Sequence, residues 1–399
     1  MFNHKTKMAA FICLAAFLPI NAAAEARSIT DGAVLAGFYP AVSPAVLSAP
    51  PEVLGPVPAF LKSDFTQVPD YSFSGLNDLN TRLIDSSSRS VDIVIFSITI
   101  KDNPDALIRA KNRGARVRMI IDERHVYPRA DAQIKRLIAE GGIEIRTLRG
   151  TRAYGVNHNK IGIFDGSAAA TGSYNWTYGA TYSNEENTLV ARHPVYVGGY
   201  ARYFEWMWTK ARTLDQGPCA ELPAGYYGEP PQDPAPVQSL NGTPVPAYLF
   251  SPGSGTETRL AAILDAAARH IDIVTFTFSS KVLADAVLRA HRRGVKLRFL
   301  MDKNMAKVSS LAKYLFDNGV EFRWRLGRGG KGALHNKFAI LDGQLIETGS
   351  FNWTANASLN SFENVIFVSD AGAVKAYQTV YNDLYSAAAT PAAGDFEPE

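Results

Sequence analysis

Twice along the 399-residue chain a histidine is followed two positions later by a lysine, and each pair opens the same longer pattern. His158-Asn159-Lys160 leads to Asp165 and then to Gly172-Ser173-Tyr174-Asn175. His335-Asn336-Lys337 leads at identical spacing to Asp342 and Gly349-Ser350-Phe351-Asn352. Glu186-Asn187 and Glu363-Asn364 stand 28 residues after each histidine. Six fixed residue types at fixed spacing match by chance at roughly one start position in 10⁸, so two matches report one shared chemistry. A histidine beside a lysine is a poor metal site, because an ammonium offers no lone pair and repels a cation. The pair suits an anion with a nucleophile beside it. Gly-Ser-x-Asn adds backbone N–H, hydroxyl and amide donors, the equipment for stabilising a phosphoryl oxyanion.

Strands must position these groups. Residues 161–164 and 338–341 are strand-like, so side chains two apart point to one face, and each histidine projects with its lysine. Asp165-Gly166 and Asp342-Gly343 follow as hairpin turns, which leaves the two aspartates open between turn chemistry and catalysis. The neighbouring segments repeat as well. Val91-Asp92-Ile93-Val94-Ile95-Phe96 matches Ile271-Asp272-Ile273-Val274-Thr275-Phe276 at an offset of 180 residues. The stretch 142–146 matches 319–323 at an offset of 177. Runs such as 93–98 and 117–121 are apolar on both faces, as buried parallel strands are. Helix-spaced apolar residues over 105–113 and 282–293 end at Gly114 and Gly294. The chain is a duplication, and each half reads as an α/β sandwich.

The pattern His-x-Lys-x4-Asp-x6-Gly-Ser-x-Asn resembles the phospholipase D superfamily. The resemblance covers residues 71–212 and 248–386, and neither repeat departs from the motif. The wording Gly-Ser-Phe-Asn-Trp-Thr, with Glu-Asn after it, is most similar to the branch holding bacterial endonucleases and the mitochondrial cardiolipin hydrolase Zucchini. Fusion of both halves in one chain resembles bacterial phospholipases D. The resemblance implies tandem α/β/α sandwich domains related by a pseudo-twofold axis, with both motifs meeting in one site. It implies that one histidine forms a covalent phosphohistidine while the other protonates the leaving oxygen and then activates water. His158 is favoured as nucleophile and His335 as acid. The implied phosphate-binding set is Lys160, Lys337, Ser173, Asn175, Ser350 and Asn352, with Asp165 and Asp342 among the catalytic candidates. Glu186 and Glu363 would fix the histidine tautomers. No metal or other cofactor is implied. Trp176, Trp353, Asp122 and Asp302 are expected to be structural.

Composition narrows the setting. His4, Lys5 and Lys7, the apolar run 8–20 and Ala22-Ala23-Ala24 read as a cleavable signal peptide over 1–24, so a periplasmic or secreted protein is expected. Of the two cysteines that leaves Cys219 alone, hence no internal disulfide. Seven prolines fall in the arm at 25–70 and eight in a linker at 213–247, and a tail occupies 387–399. The formal net charge is +3, and +1 without Lys5 and Lys7, so any preference for polyanions must be local. Residues 109–160 hold 13 basic and 5 acidic side chains and residues 289–337 hold 13 and 3, which reads either as an electropositive groove or as solvated helix faces. A monomer without an obligate protein partner is expected, acting on phospholipid at a membrane surface. Nucleic acid is the alternative substrate, and phosphatidyl transfer a third reading. A catalytically dead binding module would need a broken motif, and none is broken.

Overall fold

The computed structural model describes residues 70–140 and 142–397. The leader expected at 1–24 and the arm at 25–70, apart from Asp70, lie outside the described residues.

Each repeat is built on one mixed sheet. The first contains Asp70–Ser72 (β1), Ser90–Ile95 (β2), Arg116–Asp122 (β3), Glu144–Leu148 (β4), Lys160–Phe164 (β5), Ala168–Gly172 (β6), Thr188–Ala191 (β7) and Arg212–Thr213 (β8). Its order is β1-β7-β6-β5-β2-β3-β4-β8, with β2, β3 and β4 mutually parallel and the other pairings antiparallel. A hairpin of Gln238–Leu240 (β9) and Thr243–Val245 (β10) precedes the second sheet. That sheet contains Tyr248–Ser251 (β11), His270–Thr275 (β12), Lys296–Asp302 (β13), Glu321–Arg325 (β14), Phe338–Leu341 (β15), Leu345–Gly349 (β16) and Glu363–Val368 (β17). It repeats the order as β11-β17-β16-β15-β12-β13-β14, so the duplication holds at the level of topology. The apolar runs become the parallel strands β2, β3, β12 and β13, buried on both faces. The crossover helices Asp102–Asn112 and Lys281–Arg292 stop at glycines with φ of +96° and +84°, a conformation in which a Cβ is strained.

Each sheet has an outer core of its own and shares an inner one. Ile93, Leu107 and Met119 pack beneath the helices of the first repeat, and Ile273, Val287 and Phe299 beneath those of the second. Between the sheets lies a common core of Val94, Ile161, Phe250, Phe338 and the tyrosines of helices Pro194–Trp208 and Ala371–Ser386. Tyrosine suits this layer because its ring fills apolar space while its hydroxyl must find a partner. Tyr203 donates to the Ser251 carbonyl (2.9 Å) and Tyr196 to the Phe367 carbonyl (2.7 Å), binding the first repeat to strands of the second.

Two straps cross between repeats and lead straight into the histidines. In the first, Thr151 N–H donates to Asn360 O (2.8 Å), Phe362 N–H to Val156 O (2.8 Å) and His158 N–H to Phe362 O (3.0 Å). In the second, Arg328 N–H donates to Ser183 O (2.8 Å), Glu185 N–H to Ala333 O (2.9 Å) and His335 N–H to Glu185 O (2.9 Å). The backbones approach so closely that glycine is required. A Cβ on Gly155 would lie 2.5 Å from Asn360 O, and one on Gly332 the same distance from Ser183 O.

Three segments are tied into the fold. The linker at 213–247 is not a free spacer, because Tyr227 is buried against Phe362 with ring centroids 4.7 Å apart and its hydroxyl bonds Arg149 O at 2.8 Å. The tail at 387–399 is anchored likewise: Ala389 exchanges backbone bonds with Trp324 (2.9 and 3.0 Å) and Phe396 packs on Phe316, Phe322 and Trp324. Of the two readings of the basic stretches, several arginines take the structural one. Arg109 and Arg113 pair with Asp85, Arg289 and Arg293 with Asp265, and Arg118 lies between Asp92 and Glu205 while covering Phe204 and Trp208. Those charges stitch helices and strands together.

Candidate active site

The two motifs meet at one end of the paired sheets, and they meet crossed. His158 Nδ1 lies 2.9 and 3.0 Å from the two carboxylate oxygens of Glu363, in the other repeat. His335 Nδ1 lies 2.8 Å from Glu186 Oε2. Strands β7 and β17 carry the glutamates at or just before their starts, and the straps bring each histidine to the opposite one. Lys160 and Lys337 each donate to the carbonyl oxygen of their own histidine, at 2.5 and 2.6 Å, so the two side chains of a pair sit side by side as the strand period requires. Both histidines, both lysines and both glutamates are buried.

Burial dominates the electrostatics. It pulls Lys160 down to about 7 and Lys337 to about 8, against the opposing pull of Glu363 and Glu186. Burial, followed by the charges of Lys160 and Lys337, lowers His158 well below the ordinary imidazole range. His335 is lowered by burial too, but Glu186 opposes the shift. Burial works to raise Glu186, yet His335, Lys337 and Ser173 outweigh it and hold that carboxyl below its usual range. Glu363 goes the other way, pushed up by burial.

A side chain explains part of this asymmetry. Asn184 Nδ2 donates to Glu186 Oε1 at 3.0 Å, adding a third side-chain partner to His335 and Ser173. The corresponding residue in the second repeat is Ser361, whose hydroxyl instead accepts from Val156 N–H (3.3 Å) and Asn356 (3.4 Å). A carboxylate that accepts more donors holds its charge more firmly.

The remaining sequence candidates divide. Ser173 Oγ donates to Glu186 at 2.5 Å and accepts Asn187 N–H at 3.0 Å, while Ser350 Oγ accepts Asn364 N–H at 3.1 Å. Both serines are fully buried. Their expected place in phosphate binding is corrected: they hold the glutamate segments. Asn175 and Asn352 are half-buried, and the Oδ1 of each is buried without a partner. Asp165 and Asp342 lie away from the histidines, at the other end of β5 and β15, five residues or about 16 Å along the strand from Lys160 and Lys337. Asp165 accepts the N–H groups of Ser88, Arg89 and Ser90 at 2.7–2.9 Å, and Asp342 those of Ala268, Arg269 and His270 at 2.8–2.9 Å. Their candidacy for catalysis is corrected as well. They tie the entrance of the neighbouring strand to the turn, and their φ values of +52° and +53° fit the Asp-Gly hairpin.

Trp176 and Trp353 are buried as packing. Asp122 and Asp302 are structural but close to the site: Asp122 accepts Asn157 N–H at 2.8 Å and Asp302 accepts Leu334 N–H at 3.0 Å, each just before a histidine. Sequence reasoning missed Phe96 and Phe276, whose rings stand 5.2 and 4.8 Å from the imidazoles of His158 and His335. Their signal was their identical place in the repeat. Asn187 and Asn364, noted in the sequence only as part of the repeat, cross to Thr348 (2.9 Å) and Asn159 (2.9 Å) and knit the halves below the glutamates.

A family model described as cardiolipin synthase, PLD-like domain, matches residues 81–208 and 260–385. A mitochondrial cardiolipin hydrolase of Xenopus tropicalis is 39% identical over 143 residues, 36% of this chain and 66% of that protein. A phospholipase D of Rickettsia felis is 31% identical over 133 residues, 32% of this chain and 63% of that protein. The chain thus spans a little under two thirds of the length of these curated relatives. The structure of phosphatidylserine synthase from Haemophilus influenzae aligns over 83% of this chain and 89% of that one, with a TM-score of 0.64 and 13% identity, which is a likeness of fold.

Proposed function

Because this chain belongs to the phospholipase D superfamily, with two PLD-like domains in tandem, we propose that it is a phosphodiesterase that hydrolyses phospholipids in one site shared by both repeats. The observation that carries the reading is the crossed pairing of two buried histidines with two buried glutamates, each flanked by a lysine.

With Glu363 accepting Nδ1–H, His158 presents the Nε2 lone pair to phosphorus. Attack forms the N–P bond as the bond from phosphorus to the headgroup oxygen breaks, and His335 Nε2 gives its proton to that oxygen. Water then adds to phosphorus and yields a proton to His335. The N–P bond breaks, its electron pair returns to His158, and phosphatidic acid leaves. Lys160 and Lys337 hold the non-bridging oxygens. Asn175 and Asn352, whose amides lack a protein partner for Oδ1, turn their NH2 groups to the same oxygens. The choice of His335 as acid is supported by Glu186, the more firmly charged of the two glutamates.

Phospholipid is favoured over nucleic acid for two reasons. The relatives named above are a cardiolipin hydrolase and a phospholipase D. In addition, several of the basic residues leading into the motifs are tied up in ion pairs, which leaves fewer of them to follow a polynucleotide backbone. The leader-like sequence at 1–24 supports export.

The test offers purified protein phospholipid vesicles and, separately, single-stranded and duplex DNA and RNA, in EDTA, with the His335→Asn protein as blank. Headgroup release with intact polynucleotide is expected. Polynucleotide cleavage with untouched lipid would overturn the substrate and make the protein a nuclease.

A further inference from the structure

A phospholipid in a bilayer presents its phosphate at an interface, so an enzyme that works there needs a surface to rest on. Four large exposed side chains lie on the straps or on the short helices they join, each within a few residues of a site residue. Tyr178 and Tyr182, 67% and 58% exposed, lie on the short helix Tyr178–Tyr182 that starts three residues after Asn175. They sit one turn apart with ring centroids 4.6 Å from each other. Tyr154, 71% exposed, is in the first strap four residues before His158, and its carbonyl accepts from Asn356 at 3.1 Å. That bond places it beside Leu359, 54% exposed, on the matching helix Ala355–Leu359 of the second repeat.

Charge accompanies both clusters. Arg152, exposed, stands two residues before Tyr154. Lys331, also exposed, is in the second strap, whose Arg328 reaches the Thr181 carbonyl (3.4 Å) beside Tyr182. Neither Arg152 nor Lys331 has a carboxylate partner among the described residues, unlike Arg109, Arg113, Arg289 and Arg293. Rings with a polar tip and aliphatic side chains enter the headgroup boundary, and free cations beside them draw the surface to anionic lipid.

We propose that Tyr154, Tyr178, Tyr182 and Leu359, with Arg152 and Lys331, form a docking rim that seats the mouth of the site on an anionic phospholipid bilayer. The inference rests on the phospholipid reading of the site and adds the surface by which the substrate is met. A single-stranded nucleic acid is a poorer occupant. Leu359 has no ring face to stack on a base, and Tyr178 and Tyr182 already pack against each other instead of offering separate platforms.

The test measures sedimentation of the full chain with phosphatidylcholine vesicles with and without phosphatidylglycerol. It sets this beside turnover of vesicle lipid and of short-chain phospholipid kept monomeric. Replacing Tyr154, Tyr178, Tyr182 and Leu359 together with serine is expected to cut vesicle binding and vesicle turnover by at least about tenfold while sparing monomeric substrate. Arg152→Gln with Lys331→Gln should remove the preference for phosphatidylglycerol. Should the fourfold variant fold poorly, Tyr178→Trp gives an independent reading, with quenching by brominated lipid expected. Unchanged vesicle binding in the fourfold variant, or no quenching, overturns the rim. So does a rim that proves to hold single-stranded DNA or a second copy of the chain. Wild-type turnover of monomeric lipid without vesicle affinity would refute the rim and leave the phospholipid reading standing. Vesicle binding without turnover of either lipid would refute that reading and spare the rim.

Discussion

Replacing Glu186 with glutamine should separate the two chemical steps, and replacing Glu363 should not. Glu186→Gln keeps volume and removes the charge that faces His335 at 2.8 Å. The charge centres of a carboxylate and an imidazolium in such contact are about 4 Å apart, and Coulomb's law at an effective dielectric of about 20 gives about 4 kcal/mol. If His335 becomes an imidazolium only with that support, the loss is about a thousandfold in the steps that need its proton. An alcohol leaving group needs the proton, whereas p-nitrophenolate leaves without it. Stopped-flow with a p-nitrophenyl phosphodiester should therefore show Glu186→Gln releasing a burst of about one equivalent of nitrophenolate. It should then stall, because water attack still requires His335 as base. Glu363→Gln orients the nucleophile instead and should show no burst. A burst in Glu363→Gln and none in Glu186→Gln would reverse the two histidines. Equal, partial turnover in both variants would refute a single crossed site.

The strand-entrance aspartates and the buried lysines give two further expectations. Asp342→Ala loses three backbone donors and the Asn241 amide, and should lower stability by about 2–4 kcal/mol while turnover per folded molecule persists, as thermal melts paired with initial rates would record. Burial works to raise Asp165 and Asp342, but the backbone N–H donors outweigh it and hold both carboxyls low. Their contribution is therefore present above the ordinary carboxyl value of about 4 and fades as pH falls through the lower folded values, and urea midpoints of Asp342→Ala and the parent should converge at acid pH. Lys160 and Lys337, drawn by burial to about 7 and about 8, are charged below those values and neutral above them. The ratio kcat/KM should accordingly fall as pH rises through 7 to 8, and a flat profile to pH 9 would show that the free lysines hold their protons.

Much of this protein is legible along the chain because its information is local and doubled. The repeats, the buried strands β2, β3, β12 and β13, the glycine stops at 114 and 294 and the Asp-Gly turns all rest on interactions within a few residues. Even the pairing of each histidine with its own lysine needs only the two-residue period of a strand. Side-chain type was less informative about role. Asp165 and Asp342 look like catalytic carboxylates in the motif, yet a carboxylate in a turn is equally able to collect N–H groups from an adjacent strand. Ser173 and Ser350 look like phosphate ligands, but their hydroxyls lie beneath the surface of the site. The arginines before each motif could line a groove or cover helix faces, and Asp85, Asp265 and Asp92 take several of them up.

What the sequence by itself determined is the inventory: two identical sets of histidine, lysine, asparagine and glutamate on two copies of one α/β unit. What only the tertiary structure decided is which set member serves which. Glutamates 28 residues after each histidine are equally distant along the chain whether they act within a repeat or across it. The straps choose the crossed pairing, because they deliver His158 to the strand of Glu363 and His335 to that of Glu186. The same contacts break the internal symmetry, placing Asn184 on Glu186 and leaving Glu363 with partners too few to outweigh its burial. Spacing is a property of one chain segment, whereas a pairing across an interface depends on how two surfaces meet.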